Sequence, residues 1–202
     1  MITVHHLNKS RSKRVLWLLE ELQMPYQLVQ HDRDPVTQLA PASLKAIHPL
    51  AKAPIIVDGE LTLCESGAVV EYILNQDVLQ RLRPDHKSAD YYQYLEWLHF
   101  AEGSLALPVI AKIMMNMEDR NGDQAMDHYI GKEIALDFTY IESVLSKQDY
   151  FSGAQFGGAD IMMTIMLEIA ASIGLLEDKV NTLSYLEKVQ QRPAYQKAAS
   201  LG

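Results

Sequence analysis

The sequence predicts an α+β domain with a mixed four-stranded sheet over residues 1–76, followed by an all-helical domain over residues 88–202. In the first part, short apolar runs at strand spacing alternate with stretches at helical spacing in the order β-α-β-α-β-β-α. In the second part, apolar residues recur only at helical spacing. Residues 77–87 follow neither period and include Arg83-Pro84, so we expect a linker there.

The first three predicted elements are a strand, a helix and a strand. Residues 2–7 predict the first strand, residues 13–22 carry leucines and a valine on one helical face, and residues 26–29 predict the second strand. Two strands joined through a helix form a parallel pair with a right-handed crossover. A polar stretch from residue 33 and a short helix from near Pro41 follow.

A hairpin is the strongest local signal in the chain. Residues 55–57 and 61–64 are apolar and flank Asp58-Gly59, a pair typical of a hairpin turn. The hairpin is entered through Ala53-Pro54 and left through Glu65-Ser66. Apolar residues at helical spacing come next, so we predict that Ser66 is the N-cap of a helix. A helix N-terminus attracts anions, and a small peptide with a free carboxylate would fit there.

The second part predicts a bundle of helices. Residues 88–117 form one long helical pattern, which Pro108 would kink or break. Isoleucines at residues 130, 134 and 141 mark another helix. A third helix starts near Gly158 and is apolar on almost every face, so we expect it at the domain centre. A fourth helix follows, and Pro193 suits the first position of a short last helix.

Composition narrows the class of protein and its partners. The net charge of -8 argues against nucleic acid, because phosphate binding needs concentrated lysine and arginine. The single cysteine, Cys64, cannot form an internal disulfide, and the chain does not open with a signal-peptide pattern, so we expect a cytoplasmic protein that does not enter a membrane. His5 and His6 would point to opposite faces of a strand, and no cluster has metal-ligand spacing, so we predict no metal site.

Three segments together resemble the soluble glutathione transferases, in particular bacterial serine-type, theta-like members. They are the helix opening at residues 10–22, the hairpin segment with Lys-Ala-Pro at 52–54 and Glu-Ser at 65–66, and Phe-Gly-Gly-Ala-Asp at 156–160. The resemblance covers nearly the whole chain. It implies a thioredoxin-like first domain with a cis peptide bond before Pro54, glutathione as co-substrate, and a homodimer. Ala51 stands where that family usually has glycine, and Gly157 stands where it usually has serine or threonine.

The resemblance also implies a role for the helix opening. Ser10 would donate a hydrogen bond to the glutathione thiolate, in a positive potential supplied by Lys9, Arg11, Lys13 and Arg14. From the residues alone, Ser10 and Ser12 could equally be N-caps of the first helix. Ser12 and Asn8 remain alternatives for the contact with the sulfur, because a hydroxyl or an amide can donate to it.

The remaining site residues are divided between binding glutathione and binding its partner substrate. Glutathione would be held by Lys52, Ala53, Pro54, Glu65 and Ser66. A small apolar electrophile would enter a pocket that includes Trp97, Phe100 and Met114. The expected reaction is attack of the thiolate on that electrophile. Alternatives are a glutathione-dependent peroxidase, isomerase or dehalogenase, or a binding protein with the same fold and little turnover.

Overall fold

The computed structural model describes residues 1–201, which form two compact units. The first unit comprises Met1–Arg81 together with the C-terminal residues from Gln190, and the second comprises Leu82–Val189. The division after Arg81 falls inside the linker expected at residues 77–87. The sequence prediction assigned all residues from 88 to 202 to one helical domain, whereas the last helix packs with the first unit.

The first unit has the predicted order of elements. They are β1 Ile2–Leu7, α1 Lys13–Leu22, β2 Tyr26–His31, α2 Ala42–Ile47, β3 Ile55–Asp58, β4 Leu61–Cys64 and α3 Ser66–Gln76. The strands form one mixed sheet in the order β2-β1-β3-β4, with β1 parallel to β2 and the other neighbours antiparallel. The predicted thioredoxin-like α+β class is therefore confirmed.

The hairpin turn lies one residue later than predicted. Asp58 pairs with Leu61 as the last residue of β3, so the two loop residues are Gly59 and Glu60. Gly59 has a φ of 60°, which glycine adopts without steric cost. The Asp58 carboxylate accepts a hydrogen bond of 3.0 Å from the Tyr72 hydroxyl, which gives it a structural role beside α3.

The last helix, α9 Pro193–Ala199, packs on α1 with the proline near its start as predicted. The rings of Trp17 and Tyr195 meet edge to face with centroids 5.0 Å apart. Arg192 donates to both carboxylate oxygens of Glu21, at 2.6 and 2.8 Å. These contacts explain why the C-terminal segment belongs to the first unit, since a bidentate ion pair and an aromatic pair hold it there.

The second unit consists of helices. They are α4 Asp90–Phe100, a π-helical turn Ala101–Leu105, α5 Ala106–Met115, α6 Ala125–Leu145, α7 Gly158–Ser172 and α8 Val180–Gln190, the last of which ends at the boundary with the first unit. Of the kink or break predicted at Pro108, the break is absent, because the helical path continues from α4 through the π-helical turn into α5. A π-helical turn, Ala101–Leu105, precedes Pro108. In such a turn the backbone hydrogen bonds span five residues instead of four, and a proline has no N–H to donate to the usual bond.

The helix α7 is buried over most of its length, as predicted. Its Asp160 is fully buried and accepts hydrogen bonds from the backbone N–H groups of Gly157 and Phe151, at 2.9 and 2.8 Å, and from the Tyr185 hydroxyl at 3.0 Å. Burial raises the pKa of Asp160 to about 6 against these donors, which favour its charged form. The carboxylate thus joins the preceding loop, the start of α7 and the helix α8.

The backbone at Gly157 leaves no room for a side chain. A Cβ placed there would lie 2.7 Å from the carbonyl oxygen of Leu82 and 2.7 Å from Oγ of Ser152. The N–H of Gly158 donates to that same Leu82 oxygen at 2.8 Å, which brings the two backbones together. Serine or threonine at position 157 would force the Leu82 backbone or the Ser152 side chain to shift, which is a packing reason for glycine where the family usually has serine or threonine.

One stretch, Asp90–Met115, is long and apolar enough by length and composition to cross a membrane. Its buried side chains include Trp97, Leu98 and Leu105, which pack inside the second unit. An interior helix of a protein that never enters a membrane passes the same test, so this is weak evidence for a span. The expectation that the chain does not enter a membrane stays a prediction.

Candidate functional site

Three predicted site segments lie at one end of the sheet. His5 of β1 is opposite Ile55 of β3, and Ile55 is opposite Cys64 of β4. Because both pairs are antiparallel, the carboxyl end of β1, the amino end of β3 and the carboxyl end of β4 meet at the same end. The residues 8–10, 52–54 and 65–66 directly follow or precede these strand ends. The topology therefore brings the expected catalytic and binding segments together.

The hairpin exit differs from the prediction in one detail. Ser66 is the first residue of α3 and Glu65 is its N-cap, so Ser66 is not the cap that the pattern indicated. Glu65 has a φ of 76°, a conformation rarely adopted by a residue with a side chain, and its own side chain is exposed. This backbone turns the chain so that Ser66 is buried at the start of the helix. The first N–H groups of α3 have no carbonyl of their own helix to bind.

Arg14 reaches the hairpin exit from α1. Its side chain is fully buried, and Nη1 donates to Oγ of Ser66 at 3.2 Å. A guanidinium cannot lose its proton in a protein, so a permanent positive charge lies beneath the start of α3. The sequence prediction assigned this charge to the surroundings of Ser10 and missed the contact with Ser66. The available signal was its position four residues before Leu18, on the apolar stripe of α1.

The hairpin entrance matches its prediction in the backbone. The Ala53–Pro54 peptide is cis, as the resemblance implied. The β1–β3 ladder begins at Ile55, so the backbone of Ala53 lies outside it. Pro54 is buried, Ala53 is half-buried and the side chain of Lys52 is exposed.

Ser10 belongs to a hydrogen-bonded chain that runs into the interior. Its Oγ is 2.7 Å from Oγ of Ser12 and accepts from the Ser12 backbone N–H at 3.2 Å. Oγ of Ser12 is 2.8 Å from Nδ1 of His6 and accepts from the N–H of Leu7 at 3.2 Å. Ser12 and His6 are buried, whereas Ser10 is half-buried. Ser12 occupies the N-cap position of α1 without a capping bond, because its hydroxyl turns back to β1.

The other residues near Ser10 have partners elsewhere. The side-chain oxygen of Asn8 accepts from the N–H of Arg33 at 3.2 Å, which ties the loop to the segment after β2. Nζ of Lys13 donates to the Tyr195 hydroxyl at 3.3 Å and lies 5.0 Å from the centre of that ring. Lys13 is therefore directed toward α9. Lys13 and Arg14 thus contact Tyr195 and Ser66, and the positive potential expected around Ser10 stays a prediction.

A reactive cysteine and a bound metal ion would be chemical alternatives to a serine. Cys64 packs against the cluster of Leu7, Leu44 and Ile55, and burial raises the pKa of its thiol, as does the nearby Glu65. A thiol of this kind is a poor nucleophile. Within residues 1–201, no group of three or more His, Cys, Asp or Glu residues is arranged to hold a metal ion.

The three residues expected to bind the electrophile lie in the second unit, on α4 and α5. Trp97 is fully buried among aromatic rings, with Tyr140 stacked on it at 5.0 Å and Phe151 at 4.7 Å. Phe100 lines a cavity beside α6. Met114 is 51% exposed on α5 and is not among the residues that line this cavity. Of the three, Phe100 therefore lines this cavity, and the electrophile pocket stays a prediction.

The fold and the segments at the sheet end define a class, namely a thioredoxin-like domain followed by a helical domain. The family model described as glutathione S-transferase, N-terminal domain, matches residues 1–75. Glutathione S-transferase 3 of Schizosaccharomyces pombe is 33% identical over 98% of this chain and 87% of its own length. Glutathione S-transferase 1 of Saccharomyces cerevisiae is 30% identical, over 100% of this chain and 97% of its own.

A solved structure supports the same assignment. The crystal structure of a glutathione S-transferase from Actinobacillus pleuropneumoniae superposes with a TM-score of 0.90 at 33% identity, covering 99% of this chain and 92% of that one. The chain belongs to the glutathione S-transferase family. The family resemblance read from the sequence is therefore confirmed, while the serine-type subclass stays a prediction.

Proposed function

We propose that this chain is a glutathione transferase in which Ser10 stabilises the glutathione thiolate for attack on a small apolar electrophile. The observation that carries the proposal is the meeting of the Ser10 loop, the Ala53–Pro54 turn and Ser66 at one end of the sheet. A tripeptide needs a backbone edge, a carboxylate site and a donor for its sulfur, and these segments supply one each. Membership in the family supports a cytoplasmic homodimer as part of the same proposal.

A count of protons supports Ser10 as the donor. Oγ of Ser12 also lies 3.3 Å from the Leu7 carbonyl oxygen, so its hydroxyl proton has two acceptors, of which Oγ of Ser10 at 2.7 Å is the nearer. If His6 is protonated at Nδ1, Ser12 accepts from His6 and from the Leu7 N–H and donates that proton to Ser10. Ser10 then accepts two hydrogen bonds, from the hydroxyl and the N–H of Ser12. Its own proton is free to point at a ligand. Hydrogen bonds arranged head to tail in this way polarise one another, which strengthens the last donor.

The chemistry needs little else from the protein. The glutathione thiol loses its proton to solvent, and a hydrogen bond from Ser10 stabilises the resulting thiolate. The sulfur lone pair then forms a bond to the electrophilic carbon, and the leaving group departs with the electrons of its own bond. Holding both reactants together raises the rate further.

The carboxylate end of glutathione would be bound by the hairpin exit. Ser66 and the first N–H groups of α3 would donate to the γ-glutamyl carboxylate, and the buried charge of Arg14 behind Ser66 adds to the helix dipole. Glu65 is exposed and would accept from the neighbouring ammonium group. Ala53 would pair with the cysteinyl backbone, and Lys52 with the glycyl carboxylate.

Ser10→Ala tests the proposal through the ultraviolet absorbance of bound thiolate as a function of pH. We expect the thiol pKa of bound glutathione to rise toward the solution value of roughly 8.5, with a rate of conjugation to 1-chloro-2,4-dinitrobenzene about 10 to 100-fold lower. Glutathione affinity should change little. Ser200→Ala is the matched control, because that exposed hydroxyl donates only within α9, to the Lys197 carbonyl at 2.7 Å.

Three outcomes would reject part or all of the proposal. An unchanged thiol pKa and rate in Ser10→Ala would remove Ser10 from the mechanism. Bound glutathione whose thiol keeps its solution pKa in the unmodified protein would favour a binding protein without turnover. Absence of glutathione binding would reject the site as a whole.

A further inference from the structure

Two histidines lie side by side on the face of the sheet where α2 packs. His5 is on β1, and His31 is the last residue of β2. Nδ1 of His5 lies 3.0 Å from Nε2 of His31, and the ring centres are 5.3 Å apart at an angle of 39°. The two residues are only 7% and 8% exposed. A hydrogen bond at this distance requires one proton between the two ring nitrogens.

The histidine pair is connected to α2 through Ser43. Nδ1 of His31 lies 3.1 Å from the hydroxyl oxygen of Ser43. Of the six residues of α2, Leu44 is the buried one, and it packs on residues of β1 and β3. A helix this short is not stable by itself in water, so its contacts with the sheet decide whether it stays in place. The row of hydrogen bonds from His5 to Ser43 is one of these contacts.

In the neutral pair, every donor of this row has an acceptor. A proton on Nδ1 of His5 is donated to His31, whose own Nδ1–H then donates to Ser43. With the proton on Nε2 of His31 instead, both bonds run in the opposite direction. One added proton breaks neither bond, although it places a charge in the interior. A second added proton would set two N–H groups against each other at 3.0 Å, so the rings would have to separate.

The surroundings of the pair also oppose its protonation. Burial, together with the neighbouring His31, lowers the pKa of His5, and burial lowers the pKa of His31 although the nearby Asp32 carboxylate favours the charged ring. Asp32 is exposed, so salt screens its charge. Other ionisable side chains on or next to the elements around the pair are those of His6, Arg33, Lys45, His48, Lys52, Cys64 and Glu65.

We propose that His5 and His31 form a pH-sensitive switch that holds α2 on the sheet at neutral pH and releases it in mildly acidic solution. In the open form both rings are in water, where each binds a proton below about pH 6.5. The closed form has room for at most one added proton. Opening therefore takes up at least one extra proton, and each such proton favours opening by up to about tenfold per pH unit.

Release of α2 would also change the hairpin entrance, a consequence that rests on the proposed function. Ala53 packs against the same cluster of Leu7, Leu44 and Ile55 that anchors α2. Loss of Leu44 from this cluster removes part of the support of the backbone that would pair with the cysteinyl residue of glutathione. We expect glutathione affinity to fall by about threefold or more between pH 7.5 and pH 5, over the range in which α2 opens.

Amide hydrogen exchange of the intact chain without glutathione measures the opening directly. Between pH 7.5 and pH 5 we expect protection of residues 42–47 to fall by about tenfold or more, after correction for the intrinsic pH dependence of exchange. Amides of α1 are the internal reference, because they report unfolding of the whole unit. Their protection should fall much less than that of α2.

His5→Asn tests whether two rings are needed. The asparagine amide can either donate to Nε2 of His31 or accept from it, so the bond persists when His31 takes up a proton. We expect normal protection of α2 at pH 7.5 and a fall of only about threefold or less at pH 5. His86→Asn is the control, because it removes an imidazole that is 65% exposed and should leave the tenfold fall unchanged.

Ser43→Ala tests the connection to α2 while both rings remain. We expect protection of α2 at pH 7.5 to be about two- to tenfold lower, since one hydrogen bond is lost, and its further fall at pH 5 to be smaller than in the unmodified chain. Ser146→Ala is the control, because that exposed hydroxyl donates to the Ser143 carbonyl of α6 at 2.8 Å.

Several results would overturn the proposal. They are protection of α2 that does not change with pH, and a fall in His5→Asn equal to that in the unmodified chain. If that variant did not fold, imidazole nitrogen NMR of the unmodified chain would decide, since two independent titrations near pH 6.5 contradict a shared proton.

The measurements also separate the switch from the proposed function. Opening of α2 in acid without glutathione binding at any pH would reject the proposed function and support the switch. Glutathione binding with α2 protected equally at pH 7.5 and pH 5 would reject the switch alone.

Discussion

Nη1 of Arg14 lies 3.2 Å from Oγ of Ser66, which connects the first helix of the chain to the start of α3. Both side chains are buried, although they are 52 residues apart in the sequence. The contact brings a permanent positive charge to the place where the hairpin exit would receive a carboxylate. It also fixes the Ser66 hydroxyl as an acceptor toward Arg14, so its own proton can be donated to a ligand.

Ser66→Ala is expected to weaken glutathione binding by about tenfold, because one hydrogen bond to a charged group contributes on the order of 1.5 kcal/mol. The conjugation rate at saturating glutathione should change little, since in the proposed site the sulfur is bound by Ser10. Equilibrium binding and a kcat against KM comparison measure the two effects. Ser172→Ala is the control, because its exposed hydroxyl donates only to the Ile169 carbonyl. A fall in kcat with unchanged KM would contradict this role.

Ser12→Ala tests the hydrogen-bonded chain behind Ser10. The variant removes a hydroxyl that would donate to Ser10 and leaves the Leu7 N–H without its acceptor. We expect a rise in the bound thiol pKa that is smaller than in Ser10→Ala, and a loss of about 1–3 kcal/mol in unfolding free energy.

The double variant, Ser10→Ala with Ser12→Ala, tests more directly than either single variant whether Ser12 acts through Ser10. Because Ser12 would act on the thiol through Ser10, adding Ser12→Ala to Ser10→Ala should not raise the thiol pKa further. Thiol pKa is read from ultraviolet titration, and stability from urea unfolding. Additive pKa changes would mean that Ser12 contacts the sulfur independently.

Gly157→Ala should destabilise the protein, although alanine is normally preferred to glycine near a helix. Its Cβ would lie 2.7 Å from the Leu82 carbonyl oxygen, and moving that backbone costs about 1–3 kcal/mol. Gly131→Ala is the matched control on exposed α6, where the change should stabilise by up to about 1 kcal/mol. Urea unfolding of both variants measures the difference. Equal effects of the two substitutions would refute the steric explanation.

Asp137→Asn should stabilise the protein above pH 6. Burial, together with the nearby Glu133, raises the folded-state pKa of Asp137 from the ordinary value of 3.8 to about 6, so the folded chain binds a proton more tightly than the unfolded chain. Stability from this group is therefore fully present below pH 3.8 and is lost as pH rises through 6. At pH 8 the ionised carboxylate costs roughly 2–3 kcal/mol, which the asparagine variant avoids.

Thermal or urea unfolding between pH 4 and pH 8 measures this difference between the variant and the unmodified chain. Glu133 is the neighbouring charge that acts on Asp137, so Glu133→Gln should lower the Asp137 pKa and reduce the effect. Asp119→Asn makes the same charge change at an exposed position and should show no comparable pH dependence. A stability difference that is the same at both ends of the pH range would disprove the buried-charge explanation.

Local patterns predicted most of the first unit. The bounds of β1, α1 and β4 agree with those expected, because apolar period and turn residues decide them within a few residues of chain. The Asp-Gly turn was off by one position, since Asp58 bonds with Tyr72 and pairs with Leu61, which a two-residue pattern does not contain. The last helix was predicted to belong to the helical domain but packs with the first unit. Contacts between distant residues decide this too, because Arg192 and Tyr195 contact Glu21 and Trp17 of α1.

For the site, sequence and structure contributed different parts. The residues alone located the hairpin, its proline and the Glu-Ser pair, and the family resemblance made Ser10 a candidate. They did not distinguish Ser10 from Ser12, because both precede the same helix. The structure shows that the hydroxyl of Ser12 is bound inside and that Ser10 is half-buried beyond it.

The sequence by itself determined the class of fold, the family and the segments that form the candidate site, because these depend on periodicity, turn residues and short motifs. Only the tertiary structure decided that Arg14 lies behind Ser66, that Gly157 makes room for the Leu82 carbonyl, and that Asp137 faces a cavity. Each of these depends on atoms from distant segments meeting within a few ångströms. A single sequence records the residue types at such contacts but not which of them meet.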